Sequence, residues 1–315
     1  MKKILFVTLL AAVLIIAGCE EDNGSRAGED PFIGGTQGLE MRYIDNFPPS
    51  SVLDQGEDEF NVIVELTNRG EADINQDDVR VTLTGFPTRS FGVTSDQMTK
   101  YSDEDIEKNE KNPDGSIIES YPVEVEFEGF NYEETVQGSQ EFPFRAEVCY
   151  AYQTSATSSV CVKNDFRRDS EDADICTVAS RKTVHNSGAP IQITNMEQTA
   201  SGSTSTRLTF NVENVGSGNV YRPGEDCESE SRSEDMVFVE VSGFEEAAGE
   251  ELDCRGLRDG DSSSSGYLNI AGDGGEVSCT VNFEDRSPRI QNFNVDIGYD
   301  YEQSITKQVR VEHGS

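Results

Sequence analysis

No tryptophan and only two histidines, His185 and His313, occur in this 315-residue chain, and lysine and arginine together number 25. The histidine scarcity limits catalysis or metal binding through imidazole. His185 sits in the polar stretch VHNSGAP and His313 is third from the end, so both read as solvated. H-E-x-x-H, G-x-S-x-G, a P-loop and G-x-G-x-x-G are all missing. Basic residues are too few and too scattered to neutralise a phosphate backbone, so nucleic acid is excluded as a partner. Long apolar runs are limited to Ile4–Ala17, 14 residues where a bilayer core of ~30 Å needs about 20.

Carboxylates, in contrast, abound. Sixty Asp and Glu give a formal charge of −35, and no pair among them stands out as an acid and its base. The sequence therefore assigns no catalytic residue, no cofactor-binding residue and no metal ligand. Glu110, Asn112, Asp114 and Gly115 follow the first half of an EF-hand spacing, but position twelve is Tyr121. Asn112-Pro113-Asp114-Gly115 is better read as a turn. The acidic loops around Asp259, Asp261 and Asp273 read as solvated, with weak calcium binding as the alternative.

Lys2 and Lys3, the short apolar core and the small residues Ala17 and Gly18 before Cys19 form the pattern of a secretory signal. Ile16-Ala17-Gly18-Cys19 resembles the lipobox of exported lipoproteins. That resemblance implies a signal peptide over 1–18, a lipid on Cys19 that attaches the chain to the membrane, and a protein facing the cell exterior. Residues 19–35 are charged and glycine-rich, a flexible acidic tether, and Asn23 begins the sequon Asn23-Gly24-Ser25, a candidate glycosylation site. Loss of Lys2 and Lys3 with the signal moves the charge from −35 to −37. High acidity with scarce lysine resembles the proteins of salt-adapted archaea; near 1 M salt the screening length falls to ~3 Å and self-repulsion fades.

The remainder contains one pattern twice. VIVELTNRG, 62–70, aligns on LTFNVENVG, 208–216; VRVTLTGF, 79–86, aligns on VFVEVSGF, 237–244; VCYAYQTSATSSVCV, 148–162, aligns on IGYDYEQSITKQVRV, 297–311. Three ordered matches imply a duplicated module, with boundaries at 36–165 and 176–315 and a linker over 166–175. Apolar residues alternate with period two, as in Val62, Val64 and Leu66, which indicates half-buried antiparallel strands. Only 102–111, SDEDIEKNEK, reads as a helix. The expected class is all-β, two tandem antiparallel β-sandwiches after a signal peptide and tether. The Val-x-Val-x-x-Thr-Asn-x-Gly strand end resembles immunoglobulin-like cell-adhesion (CARDB-type) domains, which implies an immunoglobulin-like fold for both modules.

Cys149 and Cys161 flank a polar stretch centred on Ser155. A hairpin turning there would set them opposite each other, and the second copy carries Gly298 and Arg310 instead, so both are absent together. A disulfide fits this better than a metal pair, which needs two more ligands, or a redox pair, which is normally C-x-x-C. With Cys19 lipidated, Cys176, Cys227, Cys254 and Cys279 remain, with three possible pairings. Cys254 with Cys279 around the Gly/Ser loop, and Cys176 with Cys227, is the expected set. The function expected is a lipid-anchored surface binding or adhesion protein without catalytic activity, its ligand a surface protein or glycan. The insertions 87–115 and 221–235 are the candidate recognition segments. The alternative is a structural envelope component that assembles laterally or into a filament; an envelope enzyme or accessory subunit ranks third.

Overall fold

The computed structural model describes residues 30–168, 173–227, 234–244 and 251–314, and every described strand lies in the unit Phe32–Ser315. The apolar run 4–17, Cys19 and Asn23 lie outside the described residues, as do parts of 19–35, 166–175 and 221–235. No helix among the described residues is long and apolar enough to cross a membrane.

The first half contributes β1 (Leu39–Tyr43), β2 (Ser51–Leu53), β3 (Glu59–Asn68), β4 (Val79–Thr84), β5 (Thr99–Tyr101), β6 (Glu110–Lys111), β7 (Ile117–Ile118), β8 (Val123–Asn131) and β9 (Ser139–Val162). The second contributes β10 (Ser180–Arg181), β11 (Val184–Asn186), β12 (Ile191–Ala200), β13 (Ser205–Asn214), β14 (Asn219–Tyr221), β15 (Met236–Ser242), β16 (Glu251–Arg255), β17 (Ser265–Asn269), β18 (Gly275–Asn282) and β19 (Arg289–Glu312). The chain is all-β, as its alternation requires: Val62, Val64 and Leu66 are each fully buried, as are Val148, Tyr150, Val160 and Val162.

The two halves do not close as separate tandem sandwiches. They share one nine-stranded sheet along the path β17-β15-β19-β9-β4-β5, and its centre is the antiparallel pair β9·β19, 24 residues on each strand. Each half adds its own facing sheet, β1-β3-β8 in the first and β10-β12-β13-β18-β16 in the second. Ring contacts join the layers: Phe60 of β3 meets Phe144 of β9 at 5.9 Å, and Phe210 of β13 meets Phe293 of β19 at 5.7 Å.

The duplication explains the central pair. The repeat offset here is 297 − 148 = 149, so Tyr150 is equivalent to Tyr299 and Tyr152 to Tyr301. In the ladder Tyr150 stands opposite Tyr301, and Tyr152 opposite Tyr299. Exchanging the copies therefore reproduces the pairing, with Ala151 and Asp300 on the pseudo-twofold axis. The central pair thus has the self-complementary geometry of an isologous interface, with the two sequence repeats as its equivalent strands.

The expected hairpin at 148–162 is thus replaced by an uninterrupted strand. Its serines and threonines are not turn residues: buried Thr154 donates to the carbonyl of Ile191 at 2.7 Å, and Ser158 to that of Thr183 at 2.7 Å. Their small side chains keep the period-two burial intact. A straight strand holds residues twelve apart far from each other, so Cys149–Cys161 and Cys176–Cys227 are both corrected. The bonds are Cys149–Cys227, Cys161–Cys176 and Cys254–Cys279, the last as expected across β16 and β18. The helix expected at 102–111 is not formed either. Ile106, fully buried, bridges Ile74 instead, and Glu110–Lys111 becomes a strand.

The C-terminal end is fastened into the first half. The last residues of β19 run parallel to β2, and the buried Asp54 carboxylate takes His313 Nδ1 at 2.9 Å and the Val136 amide at 2.8 Å. Burial alone would raise its pKa; the His313 bond and then the Val136 and Gly314 amides outweigh it and hold it down at about 2. A depressed carboxylate stabilises the fold above its ordinary value near 3.8 and loses that contribution as pH falls through about 2. Thermal midpoints of the native chain and Asp54→Asn should therefore differ at pH 5 and converge between about pH 4 and pH 2. A gap unchanged at about pH 2 would contradict this linkage.

Candidate functional site

The Asn-x-Gly ends of β3 and β13 each lock one tyrosine of the central pair. Asn68 Oδ1 accepts from the Gly70 amide at 3.0 Å and from the Tyr152 hydroxyl at 3.0 Å, while its Nδ2 donates to the Ala72 carbonyl at 2.7 Å. Asn214 repeats this with the Gly216 amide at 3.1 Å, the Gly218 carbonyl at 2.9 Å and a longer contact to Tyr301 at 3.5 Å. Tyr301 also accepts from the Gly218 amide at 2.7 Å. The four tyrosines close a ring about the axis, with centroids 5.6 Å apart for Tyr150–Tyr152, 5.9 Å for Tyr150–Tyr301 and 6.2 Å for the other two contacts. Burial pushes all four phenols above their ordinary range, Tyr150 and Tyr299 most, so they act as neutral donors and acceptors.

Beside this ring a groove of about 570 Å³ runs along the seam. Its first-half wall includes Asp73, Asn75, Asp78 and Lys108; its floor includes Ala151, Gln153 and Asp300; Pro223 and Gly224 come from the second half. Lys108 pairs with Asp73 at 3.2 Å, and Asn75 donates to Asp78 at 2.8 Å. The size suits a ligand of a few hundred daltons or a short polymer segment.

Two carboxylates, buried Asp300 and half-buried Glu71, build this region. Asp300 is 3 % exposed and accepts the amides of Gly224 at 3.2 Å and of Glu225 and Asp226 at 2.9 Å each. Burial raises its pKa, and those amides oppose the rise. The loop it holds leads to Cys227, bonded to Cys149 on the strand beside it. Arg80 adds a bond to the Asp226 carbonyl. Glu71 accepts the amides of Ile33 and Gly34 at 2.9 Å and of Gly188 at 2.6 Å, which ties the first residues of the unit to both halves. Neither carboxylate is distinguishable in sequence among sixty acidic residues.

Both insertions singled out in the sequence reach this groove, 87–115 through Lys108 and 221–235 through Pro223 and Gly224. They are not plain loops. Phe91 and Ile106 are fully buried and Met98 nearly so, which makes 87–115 part of the core. Asn112 to Ser116 forms the expected turn, its amide bonded to the Ser116 carbonyl at 2.8 Å while Asp114 caps Ser116. Among the described residues no group of three or more His, Cys, Asp or Glu side chains is arranged to hold a metal. Compared with known proteins, the chain matches no family model and no curated protein.

Proposed function

We propose that the chain is a lipid-anchored, outward-facing envelope protein of a salt-adapted cell, and that it binds a surface component in the seam groove without transforming it. The signal core ending in Ile16-Ala17-Gly18-Cys19 supports the anchor and the immunoglobulin-like, CARDB-type pattern supports an adhesion role. The observation that carries binding is the convergence of Lys108, Pro223 and Gly224 on one groove. These come from the two segments in which the copies differ most, and variable segments on a rigid scaffold are where recognition is usually placed. Hydrogen-bonding groups around the groove, Asn75, Gln153 and Ser155 among them, suit a hydroxyl-rich ligand such as a surface glycan or a polar protein segment.

Gln153 and Asn75 are exposed, so replacing each by Arg fills the groove without touching the core. Binding of labelled native chain to envelope preparations at molar salt should saturate, and Asn75→Arg with Gln153→Arg should weaken it at least tenfold with the melting temperature unchanged. Undiminished binding by the double variant would remove the groove from this role.

A further inference from the structure

Eight large apolar residues are strongly exposed among the described residues, and four of them, Tyr101, Ile117, Ile118 and Tyr121, fall within 101–121. In a chain of charge −35 such a concentration is costly unless something covers it. Ile117 and Ile118 are neighbours on β7, and successive strand residues point to opposite faces. Both are half exposed, and Tyr121 is 78 % exposed, so the β6–β7 hairpin, the arm, presents these apolar side chains to solvent.

The arm is fixed at its base. The Asn109 amide donates to the Gly70 carbonyl at 2.9 Å, and Asn109 Oδ1 accepts the Ser120 amide at 2.8 Å. Lys111 Nζ reaches the carbonyl of Phe32 at 3.4 Å, the residue at which the folded unit begins. Thirteen residue steps separate Cys19 from Phe32 (32 − 19 = 13), at most about 45 Å of extended chain. A lipid on Cys19 would therefore keep the base of the arm within that distance of the bilayer.

We infer that the 110–121 arm docks on the lipid surface, with Ile117 and Ile118 entering the headgroup–acyl boundary and the Tyr121 ring lying at the interface. This rests on the lipid-anchored reading and deepens it. One acyl anchor benefits from a second contact, and an apolar arm supplies one without a basic patch. Residues 107–121 carry Lys108 and Lys111 against Glu107, Glu110, Asp114 and Glu119, a net of −2 (2 − 4), so contact with anionic headgroups strengthens with salt as repulsion is screened. The seam groove, lined by Glu71 and Lys108, the sequence neighbours of Gly70 and Asn109 at the base of the arm, then opens beside the bilayer, and its ligand belongs to the envelope of the same cell.

The absence of tryptophan makes the test direct, since Tyr121→Trp places a sole indole reporter in the full chain. Ile290→Trp, at the far end of β19 and also exposed, is the control. Each full-chain variant is isolated from its own membranes, its N-terminal peptide is weighed, and it is reconstituted in protein-free vesicles with brominated acyl chains. The Tyr121→Trp variant should show blue-shifted emission and at least twofold quenching, stronger in molar salt, and the Ile290→Trp variant should show neither. Adding Ile117→Ser and Ile118→Ser to Tyr121→Trp should abolish the quenching. Unshifted, unquenched emission from Tyr121→Trp on a chain whose Cys19 is lipidated overturns the docking and spares the anchor. Unmodified Cys19 overturns the anchor and the docking with it. A shift produced only by envelope protein, and not by vesicles, assigns the arm to a protein partner instead and overturns the lipid docking.

Discussion

Replacing Gly70 or Gly216 by alanine should destabilise the chain by about 3 kcal/mol each, although a single methyl is added. A Cβ at Gly70 would overlap the Tyr152 hydroxyl and the Gly188 carbonyl oxygen; at Gly216 it would overlap the Tyr301 hydroxyl and lie 2.7 Å from Pro190 Cβ. These atoms cannot yield cheaply, because each tyrosine is held between its Asn-x-Gly turn and the partner strand. The two sites differ in a way that a double-mutant cycle resolves. Tyr301→Phe removes the nearest obstacle at Gly216, so the pair should couple favourably by about 1–2 kcal/mol. Tyr152→Phe leaves the Gly188 carbonyl in place at Gly70, so coupling there should be smaller. Denaturant unfolding of the four single and two double variants measures both cycles. A cost below about 0.5 kcal/mol at either glycine would mean that the turns do not hold the tyrosines as described.

Removing Cys149 and Cys227 together should cost about 4 kcal/mol, more than removing either other disulfide pair. The bond spans 78 residues, against 15 for Cys161–Cys176 and 25 for Cys254–Cys279, and in the chain-entropy description longer closed loops constrain the denatured state more, roughly 3 kcal/mol at the short end. Locally, the loss would free one end of the loop that Asp300 holds across the seam. The expected order, with Cys149/Cys227 the most costly double serine variant, is read from unfolding midpoints at molar salt. Equal costs for all three pairs would argue that loop length is not what the bonds act through.

The period-two pattern was enough to read the class of fold, because burial of alternate residues is a local property of each strand. The duplication was legible for the same reason, through Val62, Val64 and Leu66 matched to Leu208, Phe210 and Val212. What the sequence did not disclose was the partner of each strand. Tyr-Gln-Thr-Ser-Ala-Thr-Ser has the polar, small-residue composition of a turn, and only the carbonyls of Ile191 and Thr183, distant in sequence, satisfy its hydroxyls inside a sheet. Reading this strand as a hairpin is the single error from which both wrong disulfides follow. A signal was nevertheless present: Tyr150 and Tyr152 in one copy, Tyr299 and Tyr301 in the other, keep four large rings where a lone module would need only one pair. Asp300 and Glu71 had no such signal, since their roles depend on backbone amides brought to them by remote loops. The insertions were found by comparing the copies, but their convergence on one groove depends on the shared sheet.

Whether the halves share that sheet is tested most directly by mapping disulfides in the unreduced native chain. No lysine or arginine lies between Cys149 and Cys161, so trypsin releases both on the single peptide 146–163. In a shared sheet this peptide is joined to 169–181 through Cys176 and to 208–232 through Cys227, and the three travel as one species until reduced. Recovery of 146–163 alone, closed on itself by a Cys149–Cys161 bond, would restore the hairpin and contradict the central pairing of β9 with β19.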